Sequence, residues 1–537
     1  MHISGNAQMG AMRRFSILVL TINLCFAAPG PSQRISTESG VISGLLSDDG
    51  RVAIFKGIPY AAPPVGHLRW HEPQPPKKWT GVFEATRFSN NCVQPSVREF
   101  LPWTKEFMLG SDVSEDCLYL NIWSGALGHE PRAPVYVYVH GGAFTGGSGD
   151  VSVYDGENLA RRGIIVITLN YRLGVLGFLA HPALTKESPH HSSGNYGLLD
   201  QLAALRWVSQ NIAAFGGDAK RITVGGQSAG ALSVSFLVAS PLTKDIFAGA
   251  VAESGSSVIN FPLPTLPVAE HRGEDYAKSK GTDSIERLRD IPWQKLITSP
   301  SPTKASGSPP DPAFSFSPIL DGWFLRSTPA DAFAQPQQND VATMTGWNAD
   351  DYFGRPADAD TFRKQAERRY GSFAQEFLRL YPAGSNTEAL ASYKEASRDR
   401  NRVAMYLWAS ARAKTAGMPA YTYFFTHAIP WPEHPEFGAF HTGEVPYIFD
   451  NLDRLPRPWK PEDREFAHEF SSFLINFVST GNPNGAGLPK WAAFNPASKM
   501  TMEIGDHSGP MPLASGEKEQ FWVRYLSSPE SAKAPFI

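Results

Sequence analysis

The sequence predicts an α/β protein with a large, mostly parallel central sheet flanked by helices, and three stretches carry that prediction. Residues 135–139 (VYVYV) form a compact β-branched and aromatic run that ends in His140, Gly141 and Gly142, which reads as a buried strand entering a glycine turn. A second such run lies at residues 164–169. Residues 198–215 then show Leu199, Leu202, Ala203, Leu205, Trp207 and Val208 at near-helical spacing, and Gly216 and Gly217 stop the pattern. A short strand follows at residues 221–225. Strand, long helix and strand in that order are the mark of a parallel, doubly wound sheet.

Size and composition agree with a large core. The chain has 537 residues, 42% of them hydrophobic and 12% aromatic, which excludes disordered and fibrous classes. Its 49 basic and 52 acidic residues leave a net charge of −3 and form no long runs, so neither nucleic acid nor an acidic membrane is an expected partner. Residues 298–318 are rich in Pro and Ser and read as a surface loop, whereas residues 359–380 are charged and helix-like. No internal repeat interrupts this order, and residues 29–537 read as one α/β domain.

The N-terminus and the cysteines point to export. Arg13 and Arg14 precede an apolar run at residues 15–26, and Ala27, Ala28, Pro29 and Gly30 follow, which is the pattern of a secretory signal spanning residues 1–28. That run is too short to cross a bilayer, and no other stretch is long and apolar enough, so the mature chain is expected to lack an integral membrane segment. Cys25 would leave with the signal. Cys92 and Cys117 remain as an even pair in an exported protein, from which we expect a disulfide that stabilises the fold by about 3 kcal/mol on chain-entropy grounds. No Asn begins an N-glycosylation sequence, which suits bacterial export to the periplasm or medium.

Chemistry concentrates at residues 226–230 (GQSAG). They follow the strand-like RITVG and precede the apolar ALSVSFLVAS, the strand-turn-helix context in which a serine, here Ser228, is held exposed on a sharp turn. Small residues two positions either side are required because the chain passes too close for side chains, and Gly226 and Gly230 supply them. The helix starting here aims its amides at the site, so the Ala229 N–H can donate to a developing oxyanion. Upstream, HGGAF at residues 140–144 supplies a second, glycine-rich set of donors after a strand. His140 is expected to be structural rather than catalytic. No metal-binding or phosphate-loop motif appears, no cofactor is expected, and His190 and His191 read as solvated surface.

These motifs, taken together, resemble the type-B carboxylesterase and lipase family over nearly the whole mature chain. FKGIPYAAPPVGHLRW (55–70) and SEDCLYLNIW (114–123) are similar to its two N-terminal signatures; NYRLGVLGF (170–178), GNYGLLDQLAALRWV (194–208) and GGDAKRITVGGQSAGA (216–231) continue the match. The resemblance implies an α/β-hydrolase fold with helical insertions around an active-site gorge, and a Cys92–Cys117 bridge. It implies Ser228 as nucleophile and the backbone of Gly142, Ala143 and Ala229 as oxyanion donors, with Gly141 shaping the loop. GAFHTGEVPYIFD (438–450) places the base on His441, with His427 and His434 as weaker candidates. GWNADDYF (346–353) departs from the family: Asp351 stands where a glutamate is usual, and Tyr352 replaces a glycine. The role needs only a carboxylate within hydrogen-bond reach, so Asp351 is the expected acid, and neighbouring Asp350 should point elsewhere.

The implied activity is hydrolysis of small carboxylic esters through an acyl-serine. Cholinesterases of the family carry a tryptophan for the substrate cation where this chain has Phe107, with Trp103 nearby, and a glutamate before the serine where it has Gln227. Both differences favour a general carboxylesterase over choline specificity. Two other classes stay open: an amidase or peptidase on the same fold, and a catalytically silent binding module, against which an intact Ser228 and His441 argue. The oligomeric state is not legible.

Overall fold

The computed structural model describes residues 33–96, 99–130, 132–255, 263–297, 316–352 and 354–531. The expected signal at 1–28 and most of the loop at 298–318 lie outside them. In chain order the strands are β1 (Gln33–Thr37), β2 (Gly40–Leu46), β3 (Ala53–Pro59), β4 (Val82–Glu84), β5 (Asn91–Cys92), β6 (Val113–Ser114), β7 (Tyr119–Ser124) and β8 (Ala133–Val139). There follow β9 (Ile165–Leu169), β10 (Gly217–Gln227), β11 (Gly249–Glu253), β12 (Ala342–Asn348), β13 (Ala420–Phe425), β14 (Met500–Ile504) and β15 (Gly509–Pro512). Six helices matter most: α1 (Tyr196–Asn211), α2 (Ala229–Ala239), α3 (Ala359–Tyr370), α4 (Asn386–Ala413), α5 (Pro461–Thr480) and α6 (Gly516–Leu526).

Thirteen strands share one sheet, in the order β1-β2-β3-β7-β9-β8-β10-β11-β12-β13-β14-β15, with β4 added beside β2. From β9 to β14 every pairing is parallel; β1 to β3, β7 and β15 pair antiparallel along that order, and β4 pairs parallel with β2. The expected parallel sheet is therefore its centre, and the margins are antiparallel because short turns such as that between Thr37 and Gly40 return the chain directly. The predicted strand at 221–225 extends to Gly217–Gln227, since Gly217 pairs with Ala133 across a register shift that the polar residues 218–221 conceal. The predicted helix at 198–215 is α1 plus a 3₁₀ turn, Ile212–Phe215, closed by Gly216 at φ 85°. Residues 359–380 form α3, a turn at Gly371 and a second helix, Ala374–Leu380.

Both faces of the central sheet are covered, so strands such as β8 and β9 are buried at every position rather than alternating. On β8, Val135, Val137 and Val139 pack into a cluster with Leu202, Leu205, Phe236 and Leu237 of α1 and α2. Tyr136 and Tyr138 point the other way, into a cluster with Phe470 and Leu474 of α5. A third cluster ties Phe362 and Tyr370 of α3 to Val403 of α4 and Trp522 of α6.

Two ion pairs, one partly and one fully buried, link the separate sequence signatures. Arg69 and Glu115, one from each of the first two signatures, form a two-pronged pair at 2.6 and 2.7 Å. Arg172 and Asp200 do the same for the next two, at 2.8 and 2.7 Å, and both are fully buried. Removing one partner strands the other's charge in a low-dielectric interior. Asp200→Ala is therefore expected to lower unfolding free energy by about 3–5 kcal/mol, read by chemical denaturation; a change near zero would show that Arg172 finds another partner.

Candidate active site

Ser228 stands between β10 and α2, at φ 58° and ψ −121°, a region that non-glycine residues avoid. The turn is held because the Ser228 N–H donates to the Glu253 carbonyl at 2.9 Å while the Ser228 carbonyl accepts the first helical bond, from Leu232. A Cβ on Gly226 would lie 2.5 Å from the Val139 carbonyl oxygen, and one on Gly230 closer still, so glycine is obligatory at both positions.

The glycine loop after β8 lies against this elbow. A Cβ on Gly141 would come within 2.7 Å of the Gln227 carbonyl and 3.0 Å of the Ser228 Cβ. Gly142 (φ 107°), Ala143 (φ 55°) and Phe144 (φ 61°) turn the backbone through positive φ, and the Gly142 carbonyl accepts from the N–H groups of Thr145 and Gly146 at 3.0 and 2.9 Å. Among the described residues no acceptor takes the N–H of Gly142, Ala143 or Ala229, and all three residues line one cavity with Ser228. His140 packs instead of reacting: its ring stacks on Tyr171 with centroids 4.4 Å apart, and burial pushes its pKa down to about 4.

His441 and Asp351 meet in the same cavity, both buried, with the imidazole Nδ1 2.8 Å from the Asp351 Oδ1. Asp350 points elsewhere, accepting from Arg398 at 2.8 Å and from the Ala439 N–H at 3.0 Å. His427 is engaged by Asp463 and Asp506, and neither it nor His434 reaches the cavity. Burial opposes the His441 cation, but the charge of Asp351 and its hydrogen bond outweigh this, so the histidine titrates above its ordinary 6.5.

The contacts made by three neighbours that the sequence had singled out became visible only in the fold. The Gln227 amide Nε2 lies 3.2 Å from Nε2 and 3.4 Å from Nδ1 of His441, so it lies across the ring rather than capping one nitrogen. Trp103 donates to the Thr442 hydroxyl at 2.8 Å and sets its ring edge-on to His441 at 6.4 Å; Phe107 packs edge-on to Phe440. Both belong to the loop closed by the Cys92–Cys117 disulfide, which the structure contains as expected. The covalent link therefore anchors aromatic cavity lining next to the histidine.

Behind the site lie two buried carboxyls, Glu253 at the end of β11 and Glu444 three residues past His441. Burial pushes Glu444 up to about 7, partly offset by a hydrogen bond from Asn348 and by His441. A general base must be neutral to act, so were His441 the base of a hydrolase, activity would rise with pH through its titration. The Glu444 charge helps to hold that titration high. Glu444→Gln is accordingly expected to move the acid limb of the kcat/KM profile to lower pH; an unmoved or higher limb would rule out this coupling.

The cavity encloses about 1330 Å³. Trp103, Phe107 and Trp347 line it together with Ser228 and His441, while α3 and α4 contribute a wall that includes Arg369 and Arg400. Among the described residues no cluster of three or more His, Cys, Asp or Glu side chains is placed to hold a metal ion, and no helix is long and apolar enough to cross a membrane.

Comparison with known proteins agrees with this architecture. The chain is 37% identical over 497 residues to the fumonisin B1 esterase of Sphingopyxis macrogoltabida, covering 88% of this chain and 86% of that one. It is 33% identical over 480 residues to the para-nitrobenzyl esterase of Bacillus subtilis (88% and 94% covered) and 30% identical over 530 residues to the human cocaine esterase (91% of each). A solved PNB esterase structure superposes with a TM-score of 0.76 at 31% identity, covering 91% of this chain and 99% of that one. The profile of the Carboxylesterase family matches residues 31–522. On the strength of that match, and of a serine elbow and glycine loop built at the ends of parallel strands, the chain belongs to the carboxylesterase family.

Proposed function

We propose that the protein is a serine carboxylesterase that hydrolyses small-molecule esters through an acyl-serine, with Ser228, His441 and Asp351 as its triad. The observation that carries this reading is the convergence, in one cavity, of a strained serine, unclaimed backbone donors and a histidine bonded to a buried carboxylate. His441 takes the proton of the Ser228 hydroxyl as its oxygen attacks the ester carbonyl. The N–H groups of Gly142, Ala143 and Ala229 receive the oxyanion, a contribution worth about 3–4 kcal/mol per donor where such donors have been removed. Asp351 orients the ring and stabilises its cation. The histidine then protonates the leaving alcohol, and water activated by the same base releases the acid.

The esterase names of the relatives support ester over amide substrates, and Phe107 and Gln227 favour a general esterase over one selective for choline. The signal at residues 1–28 and the disulfide support export to the periplasm or medium, leaving residues 29–537 as one catalytic domain.

Rates on p-nitrophenyl esters and on the matching anilides test this reading. Ester turnover is expected to exceed anilide turnover by orders of magnitude. A difference of only a few-fold would make the protein an amidase, and no turnover of either would leave a binding module.

A further inference from the structure

The α3–α4 wall of the cavity carries a cationic pair that acyl transfer does not use. Gln365 and Arg369 lie one turn apart on α3, and Ser397, Arg400 and Asn401 lie along α4; all five line the cavity that holds Ser228. Asn401 donates to the backbone carbonyl of Asp351 at 3.3 Å, which puts Arg400 beside the loop bearing the proposed acid.

The arginines flanking Arg400 on α4 are each ion-paired: Arg398 with Asp350 at 2.8 Å and Arg402 with Asp399 at 2.6 Å. Arg400, the one of the three that faces the cavity, has among the described residues only a long 3.4 Å bond to the side chain of adjacent Asn401. Burial first, and the like charge of Arg369 second, push its guanidinium down to about 10, which still leaves it cationic at neutral pH. Besides Asp351, the only carboxylate lining the cavity among the described residues is Asp112, on the disulfide loop. The charge of Asp351 favours the Arg400 cation, but that carboxylate bonds to His441 and none is hydrogen-bonded to Arg400 among the described residues, so an anion entering the cavity would be held by charge there.

We propose that Arg369 and Arg400 form an anion subsite of the active-site cavity, and that the preferred substrates are esters retaining a free carboxylate. The inference rests on the serine-esterase reading, to which it adds the substrate class. Guanidinium fits a carboxylate bidentately, and charged hydrogen bonds of this kind discriminate where the site excludes water.

Two matched pairs of esters test it and separate the source of the carboxylate: p-nitrophenyl hemiglutarate against p-nitrophenyl valerate for the acyl side, and p-carboxyphenyl butyrate against phenyl butyrate for the alcohol side. In at least one pair the wild type is expected to favour the charged ester in kcat/KM by about ten-fold or more, and R400Q and R369Q to bring that ratio towards one. A ratio taken within one preparation does not depend on how much of a variant has folded. A wild-type ratio at or below one in both pairs, or a ratio untouched by R400Q, overturns the proposal. Should no ester be hydrolysed, the serine-esterase reading fails by itself. Calorimetry with glutarate then decides the subsite: binding by the wild type that R400Q loses supports it, and no binding by the wild type overturns it.

Discussion

Ser228→Ala is expected to lower kcat on a p-nitrophenyl ester by about a million-fold, the scale seen when a triad nucleophile is removed. The change deletes one oxygen and leaves a residue that must still adopt φ 58°, held by the Glu253 carbonyl on one side and the first turn of α2 on the other. Circular dichroism and melting temperature should therefore stay close to wild type. The residual rate would come from the backbone donors and substrate binding, which the substitution does not touch. Steady-state kinetics on protein purified apart from the wild type checks this; a loss of only a few-fold would remove Ser228 from the reaction.

Asp351→Asn is expected to lower kcat by about ten-thousand-fold at neutral pH, because an amide in that position favours the wrong imidazole tautomer. The pH dependence carries a second, independent sign. Burial lowers the His441 pKa, and Asp351 outweighs it through charge and a 2.8 Å hydrogen bond. With the carboxylate gone, burial outweighs the smaller influence of Glu444, so the histidine becomes neutral at lower pH and the acid limb of the profile shifts down. Asp351→Glu keeps a carboxylate and should retain far more activity than the amide. A profile unchanged by Asp351→Asn would move the acid to another residue.

The parts of this site legible in the sequence are those whose chemistry needs local spacing. GQSAG between an apolar strand and an apolar helix announces the elbow, because only small residues pass so close to Val139. The disulfide follows from cysteine counting in a chain whose N-terminus reads as a secretory signal. His441 needed the family pattern, since the contact with Asp351 joins residues 90 apart. Long-range partners stayed hidden for the same reason: nothing local in SEDCLYLNIW says that Glu115 meets Arg69, or in the disulfide loop that Trp103 reaches Thr442. Glu253 looks like the polar end of a strand, although it is fully buried behind the serine. Arg369 and Arg400 sit in charged helical stretches whose lining role appears only once the two helices fold against one cavity.

The central claim is that Ser228 carries the acyl group. The most direct measurement is peptide mass spectrometry of the enzyme after reaction with a serine-directed phosphonate. The account predicts one phosphonyl group, on the peptide containing Ser228, with ester hydrolysis lost in step with labelling and no label on Ser228→Ala. Labelling at another residue that abolishes activity, or full activity in a protein stoichiometrically modified at Ser228, would contradict it.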